Sequence, residues 1–141
     1  MEYLVGSLLS LGTIVFATVV GFARERSFYS TVLIVVATYY ILFAAMGASG
    51  RTLMIEVAIA SGFILFAVLG FKGSLWLVAA ALVGHGIFDF LRSNLIVNPG
   101  VPHWWPGFCM AFDVIFGGWL ALRLLQRRNF PHSGAMGRHA G

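Results

Sequence analysis

The sequence predicts an all-α polytopic integral membrane protein, a bundle of five transmembrane helices, and three observations carry that reading. The 141 residues are 60% hydrophobic and 10% charged, whereas soluble domains carry about a quarter charged residues, so too little polar surface exists to cover a water-facing globule. The apolar residues fall into five runs, each near the ~20 residues a helix needs to cross a hydrocarbon core. Nine of the fourteen charged residues lie outside these runs, and the mean hydropathy is +0.91. Ten-residue alternating strands, the signature of a membrane barrel, do not occur, and lipid leaves helices as the other way to satisfy the backbone.

The elements follow in order. The first helix is expected over residues 3–23, the second over 28–48, the third over 53–71, the fourth over 74–96 and the fifth over 107–125. "ARER" at 23–26, "GASGR" at 47–51 and "FKGS" at 71–74 combine charge or glycine with a helix stop. Connections this short make helices one to four antiparallel neighbours. "VNPGVPHWWPG", residues 97–107, is the one connection long enough to have a shape of its own. Residues 1–128 form a single transmembrane domain, and 129–141, rich in glycine and without an apolar period, form a flexible tail. Its His132 and His139 read as a solvated end. The first run is longer than a signal-peptide core and its basic residues follow instead of preceding it, which predicts a retained helix.

Charge sets the expected orientation. Arg24, Arg26, Lys72, Arg123, Arg127, Arg128 and Arg138 fall on one side, against Arg51 and Arg92 on the other. The positive-inside rule makes the first side cytoplasmic and the N-terminus external, as in a multi-pass protein of a bacterial inner membrane. The basic residues form no stripe with interleaved aromatics, which argues against a nucleic-acid partner. Cys109 stands alone, so no internal disulfide forms.

Against this background the stretch "GHGIFDFLRSN", residues 84–94, is out of place. His85, Asp89 and Arg92 are spaced by four and three, which puts them within an arc of roughly 60° on one helix face. A charge at mid-helix costs about 2.5–3.5 kcal/mol on insertion scales, so the stripe faces the protein interior and calls for partners. Counting residues from the helix ends puts Asp113 of the fifth helix level with Asp89, and Glu56 in the first outer turn of the third. Glu56, His85, Asp89, Arg92 and Asp113 therefore gather between mid-membrane and the outer boundary, while the inner half carries almost no ionisable group. Gly84 and Gly86, Gly117, and the Ala58/Gly62 pair permit close packing. Phe63, Phe66, Phe88, Phe90 and Phe116 read as lipid-facing or core filler. Trp104 and Trp105 read as an interfacial aromatic belt, or more sharply, with His103, as a lid over a site.

Three kinds of chemistry suit the cluster. His85, Asp89 and Asp113, with His103 or Glu56 nearby, offer nitrogen and carboxylate ligands for a divalent metal, although His-x-x-x-Asp is weakly diagnostic. Alternatively, Asp89 and Asp113 act as acid and base with His85 as relay, or Asp89 and Arg92 neutralise each other and pin the bundle. The combination of "HGIFD", "VPHWWPGFC" and "AFD" resembles a group of small bacterial multipass membrane proteins with no known activity. The resemblance covers the last two spans and singles out His85, Asp89, Cys109 and Asp113, but implies no reaction.

The expected function is thus to bind or chemically modify a lipid-like or other hydrophobic small molecule. Catalytic roles fall to His85, Asp89 and Asp113, and binding roles to Arg92, Glu56, His103, Trp104, Trp105 and Cys109. The alternatives are a proton- or ion-coupled transporter and an accessory structural subunit of a membrane complex. Partners are the lipid bilayer and such a molecule, with a homo-oligomer or a larger complex left open.

Overall fold

A computed structural model describes residues 1–92 and 94–129. The described residues form five helices: α1 Glu2–Val20, α2 Arg26–Gly47, α3 Gly50–Lys72, α4 Leu75–Arg92 and α5 Trp105–Asn129. A single 3-10 turn, Phe22–Arg24, joins α1 to α2. All five helices are long and apolar enough to cross a membrane. The expected tail from residue 130 onward, with His132 and His139, lies outside the described residues.

Local chemistry accounts for the helix ends. Gly21 closes α1 in the left-handed region at φ 98°, where a side chain would be strained. Ser49 caps α3 by accepting a hydrogen bond from the Thr52 amide at 3.2 Å. At the other end of α3, the Arg26 guanidinium donates to the carbonyls of Gly70, Phe71 and Gly73 at 2.8–3.0 Å. A cation there satisfies the carbonyls that the helix itself leaves bare. Pro106 sits in the first turn of α5, where its missing amide costs nothing.

Two expectations of the sequence are corrected. The first helix does not lie against the second as an antiparallel neighbour. It packs along α5, and the two run parallel: Gly6 meets Phe108 and Ala111, and Ser10 Oγ donates to the Phe112 carbonyl at 3.2 Å. The buried face of α1 is Gly6, Ser10 and Ala17, a stripe of small residues against which a neighbouring backbone can settle. The opposite face, with Leu4, Leu8, Leu11, Val15 and Val19, is exposed and apolar.

The second correction concerns α4, which stops at Arg92 and not near Ile96. The Arg92 carbonyl accepts from both the Leu95 and Ile96 amides at 2.9 Å, so the chain turns back over the end of the bundle. Smaller differences attend α5, which starts at Trp105 and continues to Asn129.

α5 lies between α1 and α4, α3 seats against α4, and α2 pairs with α3. The interior divides into two halves. One half is apolar: Tyr29, Leu33, Ala67, Leu75, Val78, Leu82, Phe112, Phe116 and Leu120 form a continuous core toward the end that carries Arg24, Arg26 and Lys72. Phe112 and Phe116 stack with ring centroids 5.7 Å apart, and Tyr29 lies 6.1 Å from Phe116. The other half, toward the 94–104 connection, holds the buried ionisable groups.

The parallel α1–α5 contact is open to a direct test. Ser10→Leu forces bulk between two backbones in contact and is expected to destabilise the protein by about 1–3 kcal/mol, whereas Leu11→Ala on the exposed face changes it by less than about 0.5 kcal/mol. Thermal unfolding in detergent reads both, and equal effects would contradict the assignment.

Candidate functional site

The polar stripe of α4 faces inward as its spacing predicts: His85, Asp89 and Arg92 are 1%, 0% and 2% exposed. What brings α5 to it is Gly86. A Cβ at that position would stand 3.0–3.3 Å from Val114, Met110 and Asp113, so the helices meet where a side chain has no room. One turn and more below, Gly117 repeats the arrangement against Leu82, Val83 and the Ala79 carbonyl. Gly84 and Gly62 do not: a Cβ at either meets nothing, and Ala58 is exposed, so the Ala58/Gly62 pair is no packing seam.

The buried groups form two tiers. In the deeper tier, His85 Nδ1 lies 2.7 Å from Asp113 Oδ2 and 3.4 Å from Asp89 Oδ2. Both carboxylates are fully buried and point at the same nitrogen. The Phe63 ring meets the imidazole edge-on with centroids 4.7 Å apart, and Tyr40 stands 6.1 Å away. In the tier nearer the connection, Arg92 forms an ion pair with Glu56 of α3. Asn98, from the connection itself, donates to Glu56 Oε1 at 3.0 Å and to the Tyr40 carbonyl at 3.4 Å, while its own side-chain oxygen accepts from the Gly100 amide. The Arg92 guanidinium lies 3.7 Å from the centroid of the Tyr40 ring, a cation–π contact.

Partner assignment is unequal between the tiers. Glu56 is answered by a cation and an amide. In the deeper tier one imidazole faces two carboxylates, and a single ring nitrogen bonds well to only one of them. Among the described residues, both Asp89 oxygens and Asp113 Oδ1 are buried with no hydrogen-bond partner. Buried carboxylate oxygens left bare are costly.

Five of the nine residues singled out by the sequence are thus brought together from three helices: Glu56, His85, Asp89, Arg92 and Asp113. Cys109 is buried on α5, four residues before Asp113. Trp105 is half-buried and wedges against Tyr39 and Phe43 of α2, each 4.9 Å away. Trp104 is 51% exposed and His103 is also exposed, because both precede α5 on its outward side; neither reaches the cluster. Sequence reasoning missed three contributors: Asn98, Tyr40 and Phe63. An Asn before a proline reads as a turn residue, and a single aromatic on an apolar helix carries no signal of the charge it covers.

Comparison with protein-family models, curated proteins and solved structures gives no match. Chemically, the deeper tier is equipped to share a proton between imidazole and carboxylate or to bind a cation, and the upper tier ties α2, α3, α4 and the connection together.

The latch role of Asn98 leads to a second expectation. Asn98→Ala leaves Glu56 one donor short and frees the turn, a loss of about 1–3 kcal/mol. Hydrogen exchange in residues 94–104 should accelerate about tenfold or more. Unchanged exchange there would show that the connection is held by something else.

Proposed function

We propose that this chain is a multi-pass integral protein of a bacterial inner membrane, with its N-terminus outside and its C-terminus in the cytoplasm. We further propose that its polar cluster binds, or chemically modifies, a lipid-like or other hydrophobic small molecule just beneath the outer surface. The orientation follows from the basic residues: Arg24, Arg26, Lys72, Arg123, Arg127 and Arg128 gather at the end remote from the cluster.

The observation that carries the functional reading is the His85–Asp113 pair with Asp89 beside it, secluded from water inside a bundle whose exterior is apolar. Ionisable groups in such surroundings are functional by default. Aromatic walls from Tyr40 and Phe63 suit an amphiphile whose polar part meets the carboxylates and whose tail stays in the hydrocarbon. His85 then serves as relay and Asp89 and Asp113 as acid, base or metal ligands, while Arg92 is held in its ion pair with Glu56.

A second reading, an accessory subunit pinned by its polar groups, is favoured by the Glu56–Arg92–Asn98 network, in which Glu56 is answered by Arg92 and by the Asn98 amide. Transport finds less support, since the apolar core between Leu75 and Leu82 and between Phe112 and Leu120 interrupts any continuous polar path.

Small molecules that co-purify with the protein in mild detergent separate the first two readings. Native mass spectrometry is expected to show a bound hydrophobic species in the unmodified protein. Its occupancy should fall about tenfold or more in Asp113→Asn, a near-isosteric change that spares the fold. A bare protein, or a species equally abundant in both, would sink ligand binding at this site and leave the structural reading.

A further inference from the structure

We infer that His85, Asp89 and Asp113 form a binding site for one divalent first-row transition-metal ion. The inference deepens the reading of the same cluster as a reactive site. Its test reads metal, and capture of a small molecule is measured separately.

Convergence is the first argument. One donor atom from each of the three residues lies within 4.8 Å of the others, and all three residues are buried. Metal–nitrogen and metal–oxygen bonds of about 2.0–2.2 Å at tetrahedral or octahedral angles put neighbouring donors about 3–3.5 Å apart. The 3.4 Å between His85 Nδ1 and Asp89 lies in that range, and the 2.7 Å hydrogen bond to Asp113 would have to open by a few tenths of an ångström to admit the ion.

The second argument is independent, and concerns charge and unmet valence. Among the described residues the interior holds three carboxylates, Glu56, Asp89 and Asp113, but one arginine, and that arginine is committed to Glu56. Among the described residues, a single imidazole is then the one group beside Asp89 and Asp113 that can carry a positive charge. Even a protonated His85 answers one carboxylate and leaves the other bare, which is the pattern observed: both Asp89 oxygens and Asp113 Oδ1 lack partners among the described residues. A divalent cation neutralises both carboxylates together and gives those oxygens something to bind.

The donor set indicates which ions fit. One imidazole nitrogen with two carboxylates suits zinc, manganese or ferrous iron better than calcium or magnesium, which favour all-oxygen surroundings. Three protein ligands leave a coordination position open, the arrangement of catalytic and not of structural sites. Bound there, the metal would supply a Lewis acid against the polar part of a substrate. Phe63, edge-on to the imidazole, holds the ring in place, and Gly86 lets Asp113 come within reach.

The test uses full-length protein in detergent, with His103, His132 and His139 each replaced by alanine so that imidazoles away from the site contribute nothing. After stripping with a chelator, Zn²⁺ or Mn²⁺ is added, excess is removed by desalting, and retained metal is counted by mass spectrometry. About one equivalent per chain is expected, falling about tenfold or more in His85→Ala, Asp89→Asn and Asp113→Asn. Because metal binding stabilises the folded state, the melting temperature of the parent should rise with metal, and that of Asp89→Asn should not. A folded parent that retains under a tenth of an equivalent of either metal overturns the inference. So does a folded Asp89→Asn that retains a full one. Metal bound without any co-purified small molecule would contradict the proposed function and leave the metal site standing; the converse would do the reverse.

Discussion

An ionised side chain inside a bundle of apolar helices finds no water to stabilise it, so it has to be answered by another side chain from the same interior. That constraint organises the half of this protein beneath the 94–104 connection. Glu56 and Arg92 answer each other across α3 and α4, Asn98 reaches down to join them, and Tyr40 covers the guanidinium face. One turn deeper, His85 stands between two carboxylates. The arrangement is possible only because α4 and α5 touch at Gly86 and Gly117, where no side chain intervenes. Helix packing and charge neutralisation are here the same contact viewed at two scales.

The asymmetry along the bundle follows from this. At the end carrying Arg24, Arg26 and Lys72, the interior is filled by Phe112, Phe116, Leu82 and their neighbours, and needs no polar partner. At the other end, helix ends, a turned-back connection and the buried Glu56, His85, Asp89, Arg92 and Asp113 share the space. α4 ends at Arg92, the connection turns there, and its Asn98 donates to the Tyr40 carbonyl. Glu56 thereby gains an amide donor from outside the helices.

Much of this was legible in the residues. Five apolar runs gave five helices, and spacings of four and three put His85, Asp89 and Arg92 on one inward face. Counting rise along α3, α4 and α5 brought Glu56, Asp89 and Asp113 to one end, because depth in a bundle depends on residue number more than on packing detail. Counting could not resolve the two tiers: the short contact joins Asp113 to His85, one turn from the Asp89 level that the count favoured. Nor could it find the partner of α1. Short connections constrain direction, but which helices touch depends on surface shape, and the Gly6/Ser10/Ala17 stripe fits α5. The side chains of Asn98, Tyr40 and Phe63 were out of reach for a similar reason, since a turn asparagine and an isolated aromatic acquire their roles only when the chain folds against a charge.

Mutual neutralisation within the bundle is measured most directly by a double-mutant cycle between Glu56 and Arg92. Stability of Glu56→Gln, Arg92→Met and the pair would be compared by unfolding in detergent micelles. If each group exists to answer the other, either single change leaves a buried charge unpaired. The cycle should then return a coupling energy of about 2 kcal/mol or more, with the double variant more stable than the two single losses together imply. Additivity within about 0.5 kcal/mol would mean that the two side chains act independently, and the account of the cluster would fail.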